Sequence, residues 1–531
     1  MTQTSLALIR PLPAALRRRR VARLARLTRG LTATLGVAAS GACASAGSGR
    51  VGASPGTRAE LRHAIDSMVA MPKFSNAHWG IVIVDPERGD TIYSRNAGKL
   101  FMPASNQKIV TGAVALTVLG PDYQFNTTFA ARGPVEGGVL RGDLVVLGRG
   151  DPTMSDAMRG GDVMQALRAI PDSLRAHDVR YVSGRLQRGG DAFPDAWHGF
   201  GWGWDDFDAA YSAGVDELFF NEGMFEIRLR GGQREGSRAT TTIRPDIGFP
   251  SVRALVTTAR KPDSARAEDG TASLPGLRSP SAMMDSASSV VTITGQVYTG
   301  DSTIINVAYR DPGLAYLHAL RKTLADQALT VEGGLDPRVP RDSAATLDTL
   351  FVIKSPPLRD ILPRLEKPSQ NQIAEIFFKT VGLERTGVGT ADSGRAVVER
   401  QLAEWSIAPT SFAIRDGSGL SRHDYIAPDA IVRILDAMRR SPNFDLFRTA
   451  LPIAGVDGTI ANRMRGTAAA GNVHAKTGFV DKARSLSGYV TTADGRLLIF
   501  SLLCNNWTTP SREVDQVADA IAVRLAGLRG R

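Results

Sequence analysis

The hydrophobic period of this chain changes along its length and then changes back. Trp79-Gly80-Ile81-Val82-Ile83-Val84-Asp85, a turn at Pro86-Glu87-Arg88-Gly89-Asp90, and Thr91-Ile92-Tyr93-Ser94 read as a β-hairpin. A helix is expected to begin near Ser105 and to run through Ile109–Leu116, a stretch apolar enough to be buried on most sides. From about residue 125 to 345 short strands and turns take over, among them Leu144–Leu147, Val290–Ile293 and Ile304–Val307. Helical spacing returns in Gln372–Val381, Gly394–Trp405 and Pro428–Arg439, before strands at 484–491 and 496–504 and a helix at 512–528. A chain that resumes its opening pattern after so long an excursion is built as one domain interrupted by another. The pattern predicts an α/β (α+β) core from residues 59–125 and 346–531, with a large β-rich insertion, 126–345, divided into two subdomains. Within the insertion, residues 260–289 are rich in Ser, Ala, Pro and charge and are expected to form a mobile loop.

The net charge of +11 suggests nucleic acid only until it is located. Residues 1–42 hold eight arginines and no acid, which leaves +3 for the remainder, so no nucleic-acid partner is expected. The arginines are followed by a short apolar run, Leu31–Ala39, and then by small residues from Ser40 to Ala46, the layout of an export signal. Cys43, after Gly41-Ala42, resembles the acceptor cysteine of a bacterial lipoprotein, although Ser40 stands where Leu or Val is usual. Ala44-Ser45-Ala46 would serve an ordinary signal peptidase, and both readings stay open. The expectation is a signal peptide in 1–43, a Gly/Ser/Ala-rich tether in 44–58, and a periplasmic or envelope location with or without an outer-membrane lipid anchor at Cys43. No later segment reaches the roughly 18 uncharged apolar residues of a membrane helix.

Cys504 is the one cysteine beyond Cys43 and ends the run Leu497–Leu503, so core packing in a buried strand is its expected role. The seven histidines are scattered, with no pair at metal-ligand spacing, and neither a metal nor a cofactor is expected. No G-x-x-x-x-G-K-[ST] or G-x-G-x-x-G occurs, so a nucleotide site has no support. Gly52-Ala53-Ser54-Pro55-Gly56 has the spacing of a nucleophile elbow but lies in the tether without a preceding strand.

Pro103-Ala104-Ser105-Asn106-Gln107-Lys108 heads the first expected helix. Residues i and i+3 share a helix face, so the Lys108 ammonium can lie beside the Ser105 hydroxyl. A serine needs a neighbouring base to attack a carbonyl, and a lysine can supply it when burial and nearby cations lower its pKa. By itself S-x-x-K is more commonly an N-cap serine followed by an exposed lysine. Two further triplets decide between these. Ser369-Gln370-Asn371 precedes an expected helix and offers a hydroxyl and an amide on one turn. Lys476-Thr477-Gly478 opens the C-terminal strand pair, where glycine admits close backbone approach to a ligand. The order S-x-x-K, S-x-N, K-T-G is the signature of penicillin-recognising serine enzymes.

With 264 residues between the first two motifs and 107 between the last two, the chain resembles the D-alanyl-D-alanine carboxypeptidase/endopeptidases of the penicillin-binding protein 4 family. Class A β-lactamases share the motif order but have no room for such an insertion. Gly148–Pro152, Asp416–Arg422 and Leu451–Thr459 add to the likeness, which covers roughly 60–527. The resemblance implies a β-lactamase/transpeptidase-like core, peptidoglycan stem peptides and β-lactams as partners, and no cofactor. It implies Ser105 as the acylated nucleophile, Lys108 as its base, Ser369 as the proton relay to the leaving amine, and Asn371 as a holder of the substrate peptide. Lys476 and Thr477 would bind the terminal carboxylate. The backbone N–H groups of Ser105 and Phe479 would form the oxyanion hole beside Gly478. Phe479 departs from the family, in which a hydroxyl residue commonly follows K-T-G, and so puts one side-chain contact to the carboxylate in doubt. Asp416–Gly419 has the composition of a turn and fits either packing near the site or contact with substrate. Glu217 imitates the spacing to Asn221 of a class A deacylating carboxylate but falls in the insertion, and reads as ordinary. A β-lactamase and an inactive wall-binding relative are the competing readings. Oligomeric state, the third residue of the stem peptide and the preference between carboxypeptidase and endopeptidase action are not legible.

Overall fold

Alternation along five strands decides the central sheet. β1 (His78–Asp85) and β2 (Asp90–Arg95) form the expected hairpin, while β3 (His474–Val480), β4 (Ala483–Thr491) and β5 (Leu497–Asn505) come from the far end of the chain. All pairs are antiparallel, in the order β2-β1-β5-β4-β3. Trp79 lies opposite Cys504 and Val84 opposite Ile499, so the first strand is held by the last. Because successive side chains point to opposite faces, each strand supplies two cores. Trp79, Ile81 and Ile83 join Leu498, Phe500, Leu502 and Cys504 on one face; Val82, Ile499 and Leu503 lie on the other. Cys504 is buried there, as expected of a strand residue.

The computed structural model describes residues 56–261, 277–285, 289–337 and 347–530. The export signal, Cys43 and most of the tether lie outside the described residues. The longer helices of the core are α1 (Arg58–Val69), α2 (Gln107–Val118), α3 (Leu358–Glu366), α4 (Asn371–Thr386), α5 (Ala391–Glu404), α6 (Pro428–Arg439) and α7 (Ser511–Ala526). α1 and α7 cover the Trp79 face of the sheet, and the apolar residues of α2 to α6 share a core with the Val82 face. Among the described residues no helix is long and apolar enough to cross a membrane. α1 shortens the expected tether: Thr57 caps it in a reciprocal box with Glu60, so residues 57 and 58 already belong to folded structure.

Residues between α2 and α3 build a separate core. One of its sheets runs Leu335–Asp336, Leu186–Gly189, Asp143–Leu147, Asn126–Arg132, Asp348–Lys354. The last of these strands lies past the expected boundary at 345 but pairs with Asn126–Arg132, because entry and exit of the excursion run side by side. The region is not strands alone. Pro312–Asp326 is a helix whose N-cap, Asp311, accepts a bond from the Leu314 N–H at 2.8 Å. Within the expected loop 260–289, Ser281–Met284 is instead a strand paired with Val290–Thr294; residues 262–276 and 286–288 lie outside the described residues.

Candidate active site

Ser105 stands where the chain turns into α2. A single 3-10 turn, Ala104–Asn106, precedes the helix, so Ser105 sits just ahead of α2. Lys108 projects back toward the helix start and its Nζ lies 2.9 Å from Ser105 Oγ. Its other bonds go to Asn371 Oδ1 at 2.6 Å and to the Ser418 carbonyl at 2.8 Å. The Asn371 amide is fixed by its Nδ2, which donates to the Tyr211 carbonyl at 2.7 Å. Lys108 is wholly buried, and desolvation brings its pKa down to about 8 against the opposing pull of Asp416, Glu366 and Glu375.

Lys476, on β3, reaches the second serine. Its Nζ donates to Ser369 Oγ at 2.8 Å and to the Thr477 carbonyl at 2.9 Å. Burial lowers its pKa most, the positive charge of Lys108 lowers it further, and Glu366 opposes both. β3 and β4 are tied to the turn that carries Ser105. Asn106 Nδ2 donates to the Lys476 carbonyl at 2.8 Å, and Ser485 Oγ donates to the Pro103 carbonyl at 2.8 Å. Ala104 (φ 48°) and Ser369 (φ 64°) occupy the left-handed region, which costs a non-glycine residue about 1–3 kcal/mol. One precedes Ser105 and the other is the second serine, so the strained backbone sits where the hydroxyls are aimed.

Ser105, Ser369 and Asn371 open into a cleft of about 700 Å³, walled by Phe479, Leu420 and Arg422. Tyr211, Asp205 and Asp206 form its far side and come from the inserted region. Thr477 Oγ1 lies 2.7 Å from Thr459 Oγ1. The Phe479 ring is 56% exposed at the mouth, with the Arg484 guanidinium 3.7 Å from its centre. Among the described residues no group of His, Cys, Asp or Glu is placed to hold a metal ion.

Comparison with known proteins identifies the family. The profile of the D-Ala-D-Ala carboxypeptidase 3 (S13) family matches residues 61–528. The chain belongs to this family. The peptidase is 33% identical over 490 residues to a D-alanyl-D-alanine carboxypeptidase of Actinomadura sp. (strain R39), covering 89% of this chain and 85% of the relative. It is 26% identical to the D-alanyl-D-alanine carboxypeptidase DacB of Haemophilus influenzae over 83% of this chain and 88% of the relative. The crystal structure of penicillin binding protein 4 from Haemophilus influenzae shares its fold, with a TM-score of 0.74 at 22% identity, over 87% of this chain and 99% of that one. A second structure of that protein, complexed with a β-lactam, gives 0.69.

The three motifs of the peptidase thus meet in one place, from positions 264 and 107 residues apart. K-T-G lies on a strand of its own, β3, at the edge of the sheet, and the C-terminal pair is part of a triplet of strands. Gly478 is where β3 comes closest to Ser105: a Cβ there would lie 3.0 Å from the Ser105 nitrogen and 2.6 Å from the Pro103 carbonyl oxygen, and would strike Ser485 Oγ. Gly478→Ala is therefore expected to push β3 off the serine and to cut the acylation rate about 100-fold, the usual cost of an ångström-scale misplacement, while the folded protein persists. Stopped-flow acylation by a penicillin measures this, and an unchanged rate would show that the approach of β3 is not needed.

The turn Asp416–Gly419 is held by bonds to the protein itself. Asp416, Gly417 and Ser418 pack behind the site: Asp416 accepts bonds from Trp202 Nε1 at 2.8 Å and from the Gly419 and Ser421 N–H groups at 2.7 Å. The Glu375 carboxylate takes the N–H groups of Gly417 and Ser418. Leu420 and Arg422 line the cleft. Glu217 is remote from Ser105 in role, paired with Arg188 at 2.6 and 3.0 Å. Sequence reasoning missed Tyr211, Asp205 and Asp206, which belong to no motif, and the buried carboxylates of Glu366 and Glu375. No sequence signal marked them: Glu366 and Glu375 read as ordinary helix charges.

Proposed function

We propose that the chain is a serine-type D-Ala-D-Ala carboxypeptidase/endopeptidase that cleaves peptidoglycan stem peptides through an acyl-enzyme at Ser105 and is acylated by β-lactams. The observation that carries the reading is the hydrogen-bond set of Lys108. Asn371 Oδ1 and the Ser418 carbonyl can only accept, so when Lys108 gives up a proton its two remaining N–H bonds stay with them. The free lone pair then faces the one partner able to donate, the Ser105 hydroxyl. A buried lysine whose pKa has fallen toward neutrality is thereby a directed base.

In this reading Ser105 Oγ attacks the carbonyl carbon of the penultimate D-alanine as its proton passes to Lys108. The oxyanion is held by the Ser105 and Phe479 N–H groups beside Gly478. The C–N bond then breaks, and the amine of the terminal D-alanine leaves with a proton delivered through Ser369. Water hydrolyses the ester and restores Ser105. Asn371 holds the peptide, and Lys476 with Thr477 binds the terminal carboxylate. The core, which resumes at α3 after the strand Asp348–Lys354, carries the motifs, and the insertion supplies the far wall of the cleft. A substrate of this kind places the protein at the cell envelope.

Incubation with a labelled penicillin, digestion and mass mapping test the reading. One adduct is expected, on Ser105, with release of D-alanine from a pentapeptide ending in D-Ala-D-Ala and a stoichiometric burst with a chromogenic cephalosporin. A label on another serine refutes the assignment. Sustained cephalosporin hydrolysis over many turnovers per second would make the chain a β-lactamase instead.

A further inference from the structure

The second motif is tied to the inserted region by a chain of side-chain amides. Asn371 Nδ2 donates to the Tyr211 carbonyl at 2.7 Å. Gln372, the next residue of α4, is buried, and its Nε2 donates to the Ala210 and Ala213 carbonyls at 3.2 and 3.1 Å. Both of its amide hydrogens thus hold the chain on either side of Tyr211, at the short turn Ala210–Ser212. Gln372 Oε1 accepts from Gln370 Nε2 at 2.8 Å. Gln370 also donates to Glu222 at 3.3 Å, and its Oε1 takes the Ile373 N–H at 2.8 Å. Glu222 is held in turn by Arg364 on α3. The main chain at Tyr211 is thereby fixed against Asn371, although 160 positions separate the two in sequence.

The orientation of the Asn371 amide matters once Lys108 is neutral. An ammonium can only donate, so the protonated lysine selects Oδ1 unaided. A neutral amine carries a lone pair, and an amide turned by half a revolution would offer it an Nδ2 hydrogen in place of Oδ1. That bond would occupy the lone pair that Ser105 has to use. The Tyr211 carbonyl stands against the turn, because it can only accept. With the amide reversed, Oδ1 would face the carbonyl oxygen and both would lose their donor, which is costly away from water.

We propose that Gln372 is a positioning residue: by holding the Tyr211 carbonyl against Asn371 it keeps Asn371 Oδ1, and not the amide hydrogens, toward Lys108, and so reserves the lone pair of the base for Ser105. This rests on the reading of Lys108 and Ser105 given above. It gives the insertion a part in the chemistry besides walling the cleft, through a backbone carbonyl that no motif records. The second Nδ2 hydrogen of Asn371 remains for the substrate peptide.

The test is the pH profile of Ser105 acylation by a penicillin in the full chain and in two variants, Gln372→Met and Gln372→Asn. Methionine keeps the length of the side chain without the donors, and asparagine keeps the donors without the length to reach both carbonyls. Thermal melts identify the folded variants, and one suffices. With the Tyr211 carbonyl released, the amide is free to turn and donate to the neutral amine, and two effects are expected together. The plateau rate falls about tenfold, because the lone pair is engaged elsewhere. The acid limb, which reports loss of the Lys108 proton, moves to lower pH by about one unit, because a donor to the neutral amine stabilises the uncharged form. The charged groups that act on Lys108, which are Glu366 on α3, Glu375 on α4, Asp416 and Lys476 on β3, are the same in parent and variants, as are Asp205 and Asp206 across the cleft. The shift therefore reports the amide. General loosening of the site would lower the plateau and leave the limb where it is. A limb that stays in place or moves to higher pH, or a plateau within twofold of the parent, overturns the inference. If the parent protein takes no penicillin on Ser105, it is the reading of the site that fails, and the two failures are separable.

Discussion

Lys108→Ala is expected to slow acylation of Ser105 by every ligand, on the order of 10²- to 10⁴-fold, the range for loss of a positioned general base, the role proposed for it. Lys476→Ala fails differently. Its ammonium meets Ser369 Oγ and is assigned to the substrate carboxylate, so its removal weakens anionic ligands about 10- to 100-fold and spares those amidated at the C-terminus. The structure sharpens this contrast. Lys108 touches three groups that belong to the protein, so no ligand can substitute for it, whereas the Lys476 effect depends on what the ligand carries. Acylation rates of both variants with a peptide and its C-terminal amide separate the roles. Equal losses on both ligands for Lys476→Ala would contradict the division, as would a Lys108→Ala rate within tenfold of the parent.

Arg188→Ala is expected to destabilise the inserted region by about 3–5 kcal/mol, the cost of stripping one partner from a buried ion pair, against a whole-domain stability of about 5–15 kcal/mol. Arg188 grips Glu217 with two bonds, at 2.6 and 3.0 Å, and lies 2.7 Å from Asp216. Both carboxylates are fully enclosed. Burial pushes Asp216 up, the Glu217 charge adds to this, and Arg188 holds it down. Without the guanidinium, two adjacent buried carboxylates remain with no counter-charge. The consequence reaches the site, because the same segment continues to Glu222, which pairs with Arg364 on α3, and Gln370 beside Ser369 also donates to Glu222. Denaturant unfolding measures the loss. Combining Arg188→Met with Asp216→Leu and Glu217→Leu should recover most of it, since the penalty comes from unpaired charge and not from the missing arginine. A single-variant loss under 1 kcal/mol, or no recovery in the triple variant, would show that the cluster is not under this tension.

Much of the core was legible because it rests on short-range pattern. The hairpin β1–β2, the helix after Ser105 and the strands β4 and β5 follow from period 2 or 3.6 over a handful of residues, and α6 spans the expected Pro428–Arg439. The pairing of Ser105 with Lys108 is legible for the same reason, being one helical turn. Other elements were hidden by their own sequences. β3 was folded into its neighbours because Lys476 and Gly478 break its apolar alternation, and those are the residues the site needs there. α1 begins at a capping box that follows directly on a Gly/Ser-rich stretch, and its start was absorbed into the tether. The helix Pro312–Asp326 was lost among strand signals.

By itself the sequence determined which residue types the chemistry has, the order in which they come, and the two-faced strands that carry them. Tertiary structure decided what they do to one another. That Asn371 meets Lys108 across 263 positions, and Lys476 meets Ser369 across 107, depends on strands from opposite chain ends closing one sheet, which no local period encodes. Glu366 shows the limit most clearly. In Leu358–Glu366 it reads as one more charge in a charged, amphipathic turn, the kind normally left in water. Only the packing of α3 on Gly112 takes it out of water, and the energy of a charge depends on that surrounding dielectric and not on its place in the chain.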